Sequence, residues 1–149
     1  MRKTAVICTL LLALAFPVSA WAAGAESVFK IGNGVYNING YVRHDVAPFV
    51  QNNRTYLPLR YVAYAAGIGD NSIRWDNESQ TAYLAHNGEI MAVRVGSNVI
   101  TVGEREVTTD APAEIVQDRV MLPLRAVTEA FGCNVRWDET TQQVFVDIE

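Results

Sequence analysis

Short runs of alternating apolar and polar residues recur along most of the chain, and this period-two pattern predicts β-strands. Two hairpins are expected where Asn39-Gly40 and Gly103-Glu104 supply turn residues between such runs. The strands of these hairpins are expected at 34–38, 41–44, 99–102 and 105–108. Two shorter strands, at 55–57 and 120–122, are expected to run into prolines, because the residue before proline favours extended backbone.

A helical period follows each of these prolines. Pro58 and Pro123 suit the first helical position, and apolar residues then recur at the spacing that gives a helix one apolar face. Gly67 and Gly132 stand where a left-handed residue would end each helix. The helices are predicted over 58–66 and 123–131. Because helices this short are not stable alone, each must pack on a sheet.

Further strands follow the helices and are separated by polar turns that begin at Asp76 and Asp138. They are predicted at 73–75, 81–85, 89–95, 135–137 and 144–148.

The chain also repeats itself. Residues 53–60 (Asn-Arg-Thr-Tyr-Leu-Pro-Leu-Arg) recur 65 positions later as Asp-Arg-Val-Met-Leu-Pro-Leu-Arg, and the Arg-Trp-Asp of 74–76 recurs 62 positions later. The prediction is an α+β domain of two β-β-β-α-β-β repeats, 31–94 and 95–149, with mostly antiparallel sheet packed around two short helices. No linker rich in proline or serine separates the repeats, which favours one bilobed or interlocked unit.

The first 22 residues predict a secretory signal peptide. Arg2 and Lys3 precede an apolar run that is too short to span a bilayer, and Ala20-Trp21-Ala22 fits a cleavage site, although cleavage after Ala20 fits nearly as well. Residues 23–30 are then an N-terminal leader. A secreted or extracellular cell-surface location follows, with no membrane contact after the signal is removed.

Charge and cysteine content narrow the class of partner. The net charge of −4 falls by two to −6 when Arg2 and Lys3 are removed with the signal, so nucleic acid is not an expected partner. Cys133 is the only cysteine of the mature chain, which excludes an intramolecular disulfide and leaves open an intermolecular one.

The repeated Asn/Asp-Arg-x-x-Leu-Pro-Leu-Arg, the helix ending in glycine and the following Arg-Trp-Asp resemble the stalk domain family, also called copper amine oxidase N-terminal-like domains. The resemblance covers 31–149. It implies an exported bacterial protein, a sheet wrapped around a helix and a non-catalytic accessory role. Oxidase chemistry would need a much larger catalytic domain with a cofactor-forming tyrosine and three copper-binding histidines, so the resemblance brings no copper.

The residues themselves predict no catalytic, metal or cofactor site. His44 and His86 are the only histidines, and neither has a second metal ligand at a standard spacing. The Gly-x-Ser-x-Gly motif of many hydrolases does not occur.

Residues shared by both repeats favour a structural role, because two copies share a fold but need not share a ligand. Trp75 and Trp137 are therefore expected to be core anchors. Arg60 and Arg125 are expected to bond carboxylates such as those of Asp76 and Asp138, or strand carbonyls, with anion recognition as the alternative. The predicted structural motif consists of Pro58, Arg60, Gly67, Trp75, Asp76, Pro123, Arg125, Gly132, Trp137 and Asp138.

Residues that differ between the repeats bear more directly on function. Tyr61 and Tyr64 lie three positions apart off the apolar face of the first helix, where the second helix has Ala126 and Glu129. They would stack on a sugar ring or anchor a protein partner; the alternative is that they pack under neighbouring segments. The candidate binding patch consists of Tyr61, Tyr64, Tyr56 and Tyr83.

The sequence therefore predicts an exported, non-catalytic cell-envelope module that binds or scaffolds cell-wall polysaccharide or a surface protein. Two alternatives stay open. One is a small secreted hydrolase with its site between the repeats, and the other is a purely structural stalk that oligomerises.

Overall fold

The computed structural model describes residues 26–148. The predicted signal peptide and the first three residues of the predicted leader, 23–25, lie outside the described residues. Within 26–148, neither helix has the length and apolar character needed to cross a membrane.

The described chain folds into three antiparallel sheets and two short helices, which agrees with the predicted α+β class. The strands are β1 (Ser27–Lys30), β2 (Val35–Ile38), β3 (Tyr41–His44), β4 (Phe49–Gln51), β5 (Arg54–Pro58), β6 (Ile73–Asp76), β7 (Thr81–His86), β8 (Glu89–Arg94), β9 (Val99–Val102), β10 (Arg105–Thr108), β11 (Glu114–Val116), β12 (Arg119–Pro123), β13 (Asn134–Asp138) and β14 (Gln143–Asp147). The helices are α1 (Leu59–Ala65) and α2 (Leu124–Glu129), and a 3-10 turn covers Asp70–Ser72.

Each half of the chain completes a sheet of the other half. We call residues 26–87 the first half and residues 88–148 the second half. The first sheet has the order β13-β14-β1-β2-β3, so the last hairpin of the second half extends the strands of the first half. In the second sheet, β10-β9-β8-β7-β6, strands β6 and β7 of the first half extend the strands of the second half. The two halves are therefore interlocked, which is one of the two arrangements that the sequence left open.

The third sheet, β11-β12-β5-β4, joins the halves at the centre of the molecule. Leu57 of β5 lies opposite Leu122 of β12, and both side chains are fully buried. Tyr56 pairs with Pro123 and Pro58 pairs with Met121, so the register is the same when read from either half. Residues at equivalent positions in the two halves consequently have equivalent surroundings near this seam.

The helices begin one residue later than the sequence predicts. Pro58 and Pro123 keep extended backbone, with ψ of 123° and 144°, and they close β5 and β12 instead of opening the helices. Gly67 and Gly132 have φ of 80° and 67°, which confirms the left-handed conformation expected after each helix.

Three of the strands were not predicted from the sequence. β1 lies in the segment predicted as leader, and β4 and β11 have three residues each. A run of three or four residues carries too little alternation to be recognised. These strands are stabilised by the partners on which they pair: β14 for β1, and β5 and β12 for β4 and β11.

Candidate functional site

The two tryptophans of the repeated Arg-Trp-Asp motif are exposed to solvent. Trp75 is 40% exposed and Trp137 is 41% exposed, so the prediction that they are core anchors is wrong. They lie on β6 and β13, and each of these strands is the edge of its sheet. An edge strand has no neighbour on one side, which leaves one flank of each indole uncovered.

Trp75 lines an open cleft of about 510 Å³, the Trp75 cleft. One wall comes from the junction of β5 and α1, where Pro58 and Arg60 lie. The facing wall comes from the second half and includes Asp118 and Arg119, at the turn that leads into β12. The cleft therefore exists only because the two halves meet.

Trp137 lines a second cleft of about 490 Å³, the Trp137 cleft, and its layout matches the first. Residues at equivalent positions of the repeat take the corresponding places in the two walls. The pairs, with the residue of the Trp75 cleft first, are Pro58 and Pro123, Leu59 and Leu124, Arg60 and Arg125, Asp118 and Asn53, Arg119 and Arg54, and Val120 and Thr55.

An ion pair across the halves supports the wall of the Trp75 cleft. Nε of Arg119 donates to Oδ2 of Asp45 at 2.8 Å, and the hydroxyl of Tyr61 donates to the same oxygen at 3.2 Å. The other oxygen of Asp45 accepts the backbone N–H of Val46 at 2.8 Å. Burial works to raise the pKa of Asp45, but the hydrogen bonds from Arg119 and Val46 outweigh it, and the pKa lies below its ordinary value.

The equivalent ion pair at the Trp137 cleft is simpler. Nε of Arg54 donates to Oδ2 of Asp110 at 3.0 Å, and these side chains are 38% and 33% exposed. Asp45, by comparison, is 11% exposed.

The two helix arginines do not bond the carboxylates predicted for them. Asp76 and Asp138 instead accept backbone N–H groups of their own turns, such as those of Glu78 and Thr140. Arg125 lies 3.8 Å from Glu129, four residues along α2. Arg60 makes no hydrogen bond or ion pair with any of residues 26–148.

The structure brings together two of the four tyrosines of the candidate patch. The rings of Tyr61 and Tyr64 meet edge to face at 5.6 Å. Tyr61 is only 9% exposed, because its ring also packs on Tyr36. The hydroxyl of Tyr64 bonds the carboxylate of Asp70; burial and this hydrogen bond raise the pKa of Tyr64 to about 12.

The other two tyrosines lie elsewhere. Tyr56 is 2% exposed and stacks on Phe49 in the third sheet. Tyr83 lies on β7 in the second sheet, beneath the guanidinium of Arg74 at 4.7 Å. The four tyrosines therefore do not form one flat aromatic surface.

A further depression of about 480 Å³ adjoins the Trp75 cleft, and we call it the Tyr41 pocket. It is lined by Tyr41, Arg43 and Tyr64, and it shares Arg60 and Tyr61 with the cleft. Sequence reasoning missed Tyr41, Arg43 and Arg119. The available signal for Tyr41 was the same as for Tyr61: an aromatic residue in one repeat, with the charged Arg105 at the equivalent position in the other.

The histidines do not form a copper site with the other residues described. His44 is on β3 at the edge of the first sheet, whereas His86 ends β7 in the second sheet and pairs with Asn87. Between residues 26 and 148, no three His, Cys, Asp or Glu side chains are grouped so that they could hold a metal ion. Cys133 is buried, and burial together with Asp147 raises the pKa of its thiol to about 11, which keeps it protonated.

No characterised protein and no solved structure shows a significant match to the chain. The family profile of the copper amine oxidase N-terminal domain matches residues 24–146. The chain therefore belongs to the copper amine oxidase N-terminal domain family, whose members are non-catalytic accessory domains.

Proposed function

We propose that the protein is an exported, non-catalytic module that binds cell-envelope polysaccharide through the Trp75 cleft and the Trp137 cleft. The observation that carries this proposal is the pair of tryptophans, each about two-fifths exposed in an open cleft beside arginine side chains. An exposed indole offers an apolar face against which the C–H face of a sugar ring can stack. The neighbouring guanidinium groups donate hydrogen bonds to sugar oxygens.

Two clefts of the same layout suit a polymer with a repeating unit. When one cleft has bound a polymer, the second meets further repeats of the same chain at high effective concentration. Two weak sites on one interlocked unit would then give firm attachment to a wall. Family membership supports the non-catalytic part of the proposal.

A hydrolase is less well supported by the same clefts. The carboxylate of Asp45 is held by Arg119 and its pKa is lowered, so it is a poor proton donor near neutral pH. Among residues 26–148, Asp118 is the only carboxylate that lines the Trp75 cleft, and acid–base hydrolysis of glycosides uses a pair.

Co-sedimentation of residues 23–149 with purified bacterial sacculi tests the proposal. We expect Trp75→Ala and Trp137→Ala each to weaken binding by about tenfold, which corresponds to the loss of one stacking contact and its avidity. The double variant should remain in the supernatant. Ile90→Ala is the control, because Ile90 is an apolar residue, 54% exposed, that lies outside both clefts.

Sedimentation of the double variant to the same extent as a wild type that binds would contradict the proposal. If the wild type itself stays in solution, polysaccharide binding is rejected, and the surface-protein scaffold and the oligomerising stalk become the functions to test.

A further inference from the structure

The Trp75 cleft and the Tyr41 pocket lie side by side, because Arg60 and Tyr61 line both. We call this combined surface the arginine groove. It runs from Trp75 past Arg60 to Tyr41, which is 67% exposed. Aromatic rings therefore lie on both sides of Arg60, with Trp75 in one direction and Tyr64 and Tyr41 in the other.

The groove concentrates positive charge on an acidic protein. Four arginines line it (Arg43, Arg60, Arg74 and Arg119) against the two carboxylates of Asp70 and Asp118. The chain as a whole carries a net charge of −4. Such a local reversal of sign is typical of a surface that receives an anionic partner.

Most charges of the groove already have partners, and Arg60 is the exception among its arginines. Arg119 bonds Asp45, and Arg74 and Arg43 lie over the rings of Tyr83 and Tyr41 at 4.7 and 5.7 Å. Asp70 accepts the hydroxyl of Tyr64. Arg60 has no hydrogen bond or ion pair within residues 26–148, so all five of its N–H donors stay available.

The second half shows what a neutralised version of this position looks like. Arg125 stands where Arg60 stands in the first half, but Glu129 lies 3.8 Å from it. Glu129 in turn occupies the position of Tyr64, and Ala126 that of Tyr61. The Trp137 cleft thus has neither the free guanidinium nor the aromatic extension.

We infer that the arginine groove selects polysaccharide carrying anionic groups, carboxylate or phosphate, with Arg60 as the residue that pairs with the anion. This inference rests on the proposed function. One sugar ring stacks on Trp75, the anionic substituent meets the planar fork of Arg60, and the polymer continues towards Tyr41. The Trp137 cleft binds sugar without preference for charge.

Chemically modified sacculi test the inference. Three preparations are compared: untreated walls, walls whose carboxylates are amidated with ethanolamine, and walls from which phosphate polymers are extracted with acid. The proteins are the wild type, Arg60→Gln and the matched control Arg125→Gln. Thermal unfolding of each variant checks that the exposed substitution leaves the fold intact.

We expect one treatment to weaken wild-type binding by about tenfold, the effect of losing one charge-assisted pair. The sensitive treatment identifies the anion as carboxylate or as phosphate. Arg60→Gln should bind untreated walls about tenfold more weakly and be insensitive to that treatment, whereas Arg125→Gln, whose substitution lies in the Trp137 cleft, should keep the wild-type sensitivity to the treatment.

Equal binding of the wild type to all three preparations would overturn the inference and leave the proposed function standing. Full sensitivity of Arg60→Gln to the treatment would overturn the role of Arg60. A wild type that fails to bind even untreated walls would reject the proposed function, and the inference with it.

Discussion

The Trp75 and Trp137 clefts share a layout but differ in how the ion pair behind each is built. Asp45 is 11% exposed and accepts hydrogen bonds from Arg119, Tyr61 and its neighbour Val46. Asp110, at the equivalent position, is a third exposed, and of the donors that reach Asp45 only the arginine has an equivalent there, Arg54.

The difference shows that one motif can be built with two degrees of burial. Around Asp45 the fold fixes the position of Arg119 and of the Tyr61 ring, so the wall beside Arg60 is held rigid before any ligand arrives. A preorganised wall lowers the entropic cost of binding. Around Asp110 the same pair is a surface ion pair with little effect on its surroundings.

Removing each carboxylate in turn tests whether the two ion pairs contribute differently to the free energy of unfolding. Asp45→Asn should lower the free energy of unfolding by about 2–3 kcal/mol, because it weakens charged hydrogen bonds to a largely buried carboxylate. Asp110→Asn should cost less than about 1 kcal/mol, because exposed ion pairs contribute little. Urea unfolding at neutral pH measures both variants. Equal losses in the free energy of unfolding would show that the two ion pairs stabilise the fold equally despite their different burial.

Acidification tests the same carboxylate without removing it. The pKa of Asp45 is below its ordinary 3.8 in the folded state, so the unfolded chain takes up this proton first as the pH falls. The stability that Asp45 provides is complete above about pH 5 and is lost as the pH falls through the folded-state value. Asp76 and Asp138 also have lowered pKa values, from backbone hydrogen bonds in their turns, but wild type and variant share them.

The measurement is the difference in urea midpoint between the wild type and Asp45→Asn from pH 7 to pH 2.5. We expect a constant difference down to about pH 5 and a progressive narrowing below it. A difference that stays constant throughout would mean that Asp45 contributes no more as a carboxylate than as a neutral acid.

Local sequence patterns predicted the hairpins and helices well, because those elements carry their own signals. Asn39-Gly40 marks a turn, and Gly67 and Gly132 do adopt the left-handed conformation. Strands β1, β4 and β11 depend on partners distant in the chain and carry almost no signal of their own.

The site was harder to predict than the fold for the same reason. Trp75 and Trp137 look like core residues because they are large and repeated, and only the interlocked strand order places β6 and β13 at sheet edges. Arg119 could not be assigned to a cleft because its partner Asp45 lies 74 residues away. Arg60 and Arg125 look identical in sequence, and they differ only through Glu129 and Tyr64.

That last difference yields the smallest expected effect on stability and a direct means of converting one half towards the other. Glu129→Gln removes the carboxylate 3.8 Å from Arg125, and both side chains are more than two-fifths exposed. The free energy of unfolding should change by less than about 0.5 kcal/mol, since exposed pairs one helical turn apart stabilise weakly.

The Glu129→Gln variant nonetheless leaves Arg125 without its partner, as Arg60 is in the wild type. Combined with Arg60→Gln, it should restore sensitivity to the anions of the wall that Arg60→Gln alone has lost, now through the Trp137 cleft. Binding assays on treated and untreated sacculi measure this. If the double variant stays insensitive, a free guanidinium beside a tryptophan is not sufficient, and the aromatic extension at Tyr41 and Tyr64 is also required.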